Sequence, residues 1–168
     1  MGSGLNKAII NMLEMTLTKS QGLLYLLIKK LGEVDDKIKL AKYEYFADFI
    51  HHAFNSKPIS DESSLYERRE YGPLSVSFNS DLEHLIKMGL IESKKKYHYS
   101  VKKEVKLNLD DKEIRTIEYV LNKYSGHSYD VLTDISHKQI PYLSANDGGI
   151  IDYNTAYNLV DEYPDYVK

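Results

Sequence analysis

The sequence predicts a mainly α, compact helical domain with one β-hairpin embedded between its third and fourth helices. Three observations carry that expectation. Apolar residues recur at helical spacing in several segments, and hydroxyl or acidic residues stand at capping distance before them. One stretch, "LIESKKKYHYSV", alternates instead, with its polar tip at Lys94–Lys96. A 42% hydrophobic and 28% charged composition suits such a fold, because it is that of an ordinary soluble chain with enough apolar material for a core.

The first helix follows "TKSQ", where Thr18 and Gln21 have capping-box spacing. Leu24, Leu27, Ile28 and Leu31 form its apolar stripe, and Gly32 stops it. The second starts near Asp35 or Asp36, carries Ile38, Ala41, Tyr45, Phe46, Phe49 and Ala53 on one face, and ends before Pro58. From Asn55 to Ser77 the chain is mostly polar and contains Pro58, Gly72 and Pro73. A loop is expected there, with a short helical piece around residues 64–69.

Ser80 and Glu83 have capping-box spacing for a third helix, which buries Leu82, Leu85 and Ile86 and stops at Gly89. In the hairpin that follows, Tyr97, Tyr99 and Val101 alternate to one face. Helix, glycine stop and hairpin together make a winged-helix-like segment. Asp110 and Glu113 cap a fourth helix striped by Ile114, Ile117, Leu121 and Tyr124. "HSYDVLTDIS" gives a fifth, and "DYNTAYNLV" a last one with Tyr153, Ala156, Tyr157 and Val160 inward. Residues 5–168 are expected to form one domain. The start, "MGSG", reads as a cloning scar, with no basic flank and no cleavage site of a signal peptide.

Charge and residue usage narrow the function classes. Cysteine is absent, which removes disulfides, thiolate metal sites and cysteine nucleophiles. No apolar run approaches the roughly 18 residues of a membrane span, so a cytoplasmic protein without membrane contact is expected. Net charge is −3, yet seven lysines between Lys87 and Lys106 against Glu92 and Glu104 make that strip +5 on an acidic body. Such a strip is either a phosphate-binding footprint or a solvated hairpin tip.

In a nucleic-acid reading, Lys94, Lys95 and Lys96 of the wing meet phosphates while the preceding helix enters the groove. The residues expected to face outward on that helix are Asp81, Glu83, His84 and Lys87, of which two are acidic. Only three of the 22 basic residues are arginine, fewer than bidentate readout of phosphate or guanine uses. Nucleic acid is therefore the alternative and not the first choice.

The enzyme readings are weak. Asp48 and His52 form an i, i+4 pair of the kind metal sites use, but the sequence nominates no third ligand, and an exposed helix face with an Asp–His contact is expected. His137 with Asp134 has the spacing of an oriented acid–base pair. No nucleophile is recognisably matched to it, and a histidine closing a helix end by hydrogen bonding is expected. "NDGG" at residues 146–149 is a turn, and Asp110 with Asp111 is accounted for by capping. No catalytic residue, metal site or cofactor is assigned.

Motif order adds a further expectation. "KLAKYEYFADFIHH" is followed by "KPIS", then by "YERREYGPLSVSFNSDLEHLIKMGLI", the hairpin, and "LDDKEIRTIEYVLNKYSGHSYDVLTDISHKQIPY". The series resembles the SocA-like, or Panacea, antitoxin domain family over about residues 18–160. Matching positions include Lys39, Leu40, Tyr45, Asp48, Pro58, Tyr66, Gly72, Pro73, Gly89, His137 and Pro141. Tyr142 stands where the family often has tryptophan, and the Lys39 helix carries tyrosine where leucine is commoner. The resemblance implies a non-enzymatic protein that neutralises a cognate toxin by direct binding. Some relatives are linked to proteolytic adaptors, which implies a protease unfoldase as a further partner. It also implies partner-binding roles for Lys39, Tyr45, Tyr66, Gly72, Pro73 and His137. The Gly72-Pro73 turn would present a rigid rim, or simply reverse the chain into the next helix.

Overall fold

A computed structural model describes Gly4, Asn6 and residues 16–167. The remainder of the "MGSG" start lies outside the described residues. The fold is mainly helical, with small β elements set between the helices. Helix α1 (Lys19–Leu31) is capped by the Thr18–Gln21 box and closed by Gly32 at φ +81°. After β1 (Glu33–Val34) comes α2 (Lys37–Asn55), whose N-cap Asp36 accepts from the Lys39 backbone N–H. Helix α2 is the axis of the molecule: every residue from Leu40 to Ala53 is buried.

The segment expected to be loop with a helical piece at residues 64–69 is instead a hairpin. Strands β2 (Tyr66–Arg69) and β3 (Gly72–Ser75) pair antiparallel, with Tyr66 opposite Ser75 and Arg69 opposite Gly72. The reason is long-range: Tyr66 is anchored to α2, and the outer edge of β2 is covered by the 146–149 turn. There the Arg68 N–H donates to the Gly149 carbonyl and the Gly148 N–H to the Arg68 carbonyl.

Helix α3 (Phe78–Lys87) begins one turn earlier than the Ser80–Glu83 spacing suggests. Its N-cap is Ser77, and Ser80 sits in the first turn, donating its hydroxyl to the Ser77 carbonyl. Asp81, expected to face outward, is buried and accepts from the hydroxyls of Ser20 and Ser77 at 2.8 Å each. Gly89 closes the helix at φ +73°, as its position predicts.

The wing hairpin consists of β4 (Ile91–Glu92) and β5 (Tyr99–Val101). Strand β5 is central, because β1 pairs with its other edge to give the order β1–β5–β4. Tyr97 does not belong to the alternating face. It stands in the turn at φ +66°, a left-handed conformation uncommon outside glycine. The element order from α1 to β5 is thus winged-helix-like, with the β2–β3 hairpin inserted between α2 and α3.

Helix α4 (Asp111–Tyr124) has the expected Asp110–Glu113 capping box, and Lys19 reaches the buried Glu113 carboxylate at 2.6 Å, joining it to α1. Helices α5 (Tyr129–His137) and α6 (Ile140–Leu143) follow. The last element, Tyr153–Glu162, is a 3₁₀ helix and not an α-helix. Its period of three turns Ala156 and Leu159 inward behind Tyr153, while Tyr157 and Val160, expected inside, are exposed. It packs along α2 and completes an aromatic core in which Tyr45, Phe46, Phe49, Tyr66, Tyr124 and Tyr163 are all buried. Burying one such ring contributes on the order of 2 kcal/mol. Among the described residues no helix is long and apolar enough to cross a membrane.

Candidate functional site

A groove of about 660 Å³ opens between the start of α2, the β2–β3 turn and the start of α3, with Tyr97 of the wing at its lip. Each wall has a local cause. The Asp36 cap fixes where α2 begins, so that Lys37 and Ile38 line one side. Lys37 extends over the rings of Phe78 and Tyr97, 5.9 and 5.8 Å from their centroids. Pro73 and Leu74 come from β3, and the exposed Tyr71 ring stands at the turn.

The floor is made by Lys42 and Gly72. Lys42 is only 2% exposed, and Gly72 has φ +114°. A β-carbon on Gly72 would lie 2.6 Å from Lys42 Nζ and 2.8 Å from Ser136 Oγ, so the backbone angle calls for glycine here and any side chain would have to displace the amine. Burial lowers the Lys42 ammonium to about 8, while the nearby Asp36 charge opposes that shift.

Beneath the groove the hairpin is bolted to α2. The Tyr66 hydroxyl donates to Asp48 Oδ2 at 2.6 Å, and the Ser60 N–H to Asp48 Oδ1 at 2.7 Å. Burial raises the Asp48 carboxyl to about 6, against the pull of those two bonds. Glu44, one turn earlier, is wholly buried and held well above the usual carboxyl range by burial, with the Asp48 and Asp81 charges adding to it. On the outer side, Arg68 lies over the Tyr142 ring at 4.4 Å and donates from Nη1 to the Ala145 carbonyl. The Tyr142 hydroxyl donates to the Arg69 carbonyl at 2.8 Å.

Of the positions singled out in the sequence, Gly72 and Pro73 line the groove. Tyr66 is buried at the other end of the hairpin, opposite Ser75, and Tyr45 is buried on α2, its hydroxyl donating to Gln139 Oε1 at 2.7 Å. His137 stacks on Tyr142 at 4.4 Å and hydrogen-bonds to the Glu70 backbone at the hairpin turn; burial, then the Lys42 charge, lower its basicity. Asp134, the acid–base candidate at matching spacing, pairs with Lys138. Lys39 points away from the groove, with Nζ 3.5 Å from the Ser125 carbonyl. Asp48 and His52 are not on an exposed face: both are buried, and His52 stacks on Tyr153. Among the described residues no three His, Asp or Glu side chains gather as a metal site.

Lys94–Lys96 lie at the exposed wing tip, where Lys94 approaches Glu92 at 3.6 Å and Lys96 lies over the Tyr97 ring. Lys42 itself went unremarked in the sequence, because an isolated lysine in an otherwise amphipathic pattern signals solvent. Its proximity to Gly72-Pro73 exists only in three dimensions.

Comparison with the curated proteins and with the solved structures returned no match. The family model described as antitoxin SocA-like, Panacea domain, matches residues 40–141, more than half of the chain, and that span contains Lys42, Gly72 and Pro73. The chain belongs to this family, and membership points to an antitoxin-like role in a toxin–antitoxin system, with a cognate toxin as the implied partner.

Proposed function

We propose that the protein neutralises its cognate toxin by direct protein–protein contact, without catalysis, and that the groove between α2, the β2–β3 turn and α3 is the centre of the contact. The observation that carries this reading is that the family match encloses a turn where a glycine, a proline and a buried lysine converge. Gly72 and Pro73 form the rigid wall, and Tyr66, Tyr45 and His137 hold that wall from behind. Lys39 points away from the groove, at the α2–α4 edge, and would meet the toxin only where the contact extends beyond it. Tyr71 and Tyr97, both about half exposed, supply aromatic contact area at low entropic cost. A complex of ordinary size would bury about 1,600 Å² and extend well beyond the groove.

The test is a nuclease-treated pull-down of the tagged protein from its native host, read by mass spectrometry. One stoichiometric protein that halts growth when expressed alone, and is silenced by co-expression, is the expected result. Co-elution of a protease unfoldase would identify adaptor delivery as the means of neutralisation. Recovery of DNA and no protein would overturn the reading and leave the wing lysines as the functional element.

A further inference from the structure

We infer that the floor of the groove is a carboxylate-binding subsite, in which Lys42 anchors a single aspartate or glutamate side chain inserted by the protein partner against Gly72. The inference rests on the reading of the groove as the toxin-binding surface and adds the chemistry that the toxin must bring.

Buried charges are paired in folded proteins, because an ammonium taken out of water needs a compensating partner. Lys42 is buried on the central helix, yet among the described residues no hydrogen bond or ion pair reaches its Nζ. Asp36 is the countercharge acting on it, and that carboxylate is already committed to capping the Lys39 N–H. Ser136 Oγ lies beside it but donates to the Thr133 carbonyl. The Lys42 charge, after burial, disfavours a charged His137 on α5, so that histidine is no countercharge for it. The missing side chain on Gly72 leaves room for the amine at the groove floor, where it lines the cavity.

The groove's other charges say what kind of anion fits. Asp35, Asp36 and Glu70 on the walls outweigh Lys37 and Arg69. The acidic rim opposes every anion, but a polyanion such as a nucleic-acid backbone meets that repulsion at each phosphate, whereas a single carboxylate meets it once and is met by Lys42 at the floor. A compact ammonium suits one carboxylate oxygen in a charge-assisted hydrogen bond, and docking would strengthen that bond by removing water. A chain terminus is captured by several backbone N–H groups, whereas this floor presents one amine, which favours a side chain. Burial lowers the ammonium to about 8, and a bound carboxylate would oppose that shift.

Two measurements test the subsite separately from the function. In ¹³C-labelled protein, the Lys42 Cε resonance is assigned by its absence in Lys42→Met. Sodium acetate is then titrated against sodium chloride of equal ionic strength. Acetate is expected to shift Lys42 saturably and to raise its titration midpoint, and an identical response to chloride overturns the inference. In the pull-down, Lys42→Met is expected to weaken toxin capture by about tenfold or more, and Lys30→Met, at a surface pair with Glu118 remote from the groove, to leave it within about twofold. Equal capture by wild type and Lys42→Met overturns the subsite and leaves the antitoxin reading standing. Capture of no toxin by wild type overturns the antitoxin reading, and the acetate titration then decides the subsite alone.

Discussion

The molecule carries two hairpins of similar length and opposite character. The wing (β4–β5) presents three lysines at an exposed tip, and its strands are fastened at the base by pairing with β1 and by the buried Ile91 and Tyr99. The β2–β3 hairpin is held on both sides, by Tyr66 on Asp48 and by Arg68 and Arg69 on the α6 region. The wing has the conspicuous charge, but the fastened hairpin has the shaped cavity. A binding surface needs side chains that are already held in place, because every rotamer frozen on docking subtracts from affinity. By that criterion the groove beside β2–β3, with Tyr97 at its lip, is the prepared surface, and the Lys94–Lys96 end of the wing is a solvated tip.

Substitutions in the two hairpins should separate them, and the largest effect is expected at Gly72. Gly72→Ala forces a β-carbon against Lys42 Nζ at a positive φ, which should cost roughly 3 kcal/mol or more in urea unfolding. A wild-type midpoint would show that the turn can shift freely. Next is Tyr66→Phe, which leaves buried Asp48 one donor short. A loss of about 2 kcal/mol is expected, and a negligible loss would mean that the bolt between hairpin and helix is not formed in solution.

Lys42→Met should act in the opposite direction. The folded-state ammonium is lowered to about 8 from the usual lysine value, so below pH 8 the folded protein carries a charge it disfavours relative to the unfolded chain. As pH rises from 8 through the unfolded value near 10.5, wild type gains stability because only the unfolded chain still binds that proton. Methionine should therefore stabilise the protein by about 1–3 kcal/mol at pH 7, with the advantage fading above pH 8. A destabilised Lys42→Met at pH 7 would reverse the assignment of the amine as an unmet cost. The smallest effect is expected in the wing. Replacing Lys94, Lys95 and Lys96 together by alanine should change stability by less than about 0.5 kcal/mol and leave toxin capture intact. A large loss of capture would move the interface onto the wing.

The elements legible in the sequence are those whose signals are local. The Thr18–Gln21 and Asp110–Glu113 boxes, the Gly32 and Gly89 stops and the β4–β5 hairpin are set by residues within a few positions of one another. The β2–β3 hairpin was not legible, because "YERREYGPLS" has no apolar alternation and is held by Asp48, Tyr142 and the 146–149 turn, all distant in sequence. Strand β1, two residues long, leaves no pattern at all. Within the site, Gly72, Pro73 and His137 drew notice through motif order. Lys42 did not, because periodicity assigns polar residues to solvent, while α2 is surrounded on all sides and buries Lys42, Glu44, Asp48, His51 and His52 together.

The 3₁₀ helix at Tyr153–Glu162 bears on where this protein can be cut. The family match ends at residue 141, which invites a shorter version for biophysical work. Ile151, Ala156, Leu159 and Tyr163 lie beyond that boundary and are almost wholly enclosed. Tyr163 accepts from Gln139 Nε2 and shares a hydrogen bond with Tyr124, closing a polar chain that begins at Tyr45. Trimming at the motif edge would strip the lid from the central helix and expose its rings to solvent. Any minimal version that keeps the groove intact has to extend through Tyr163.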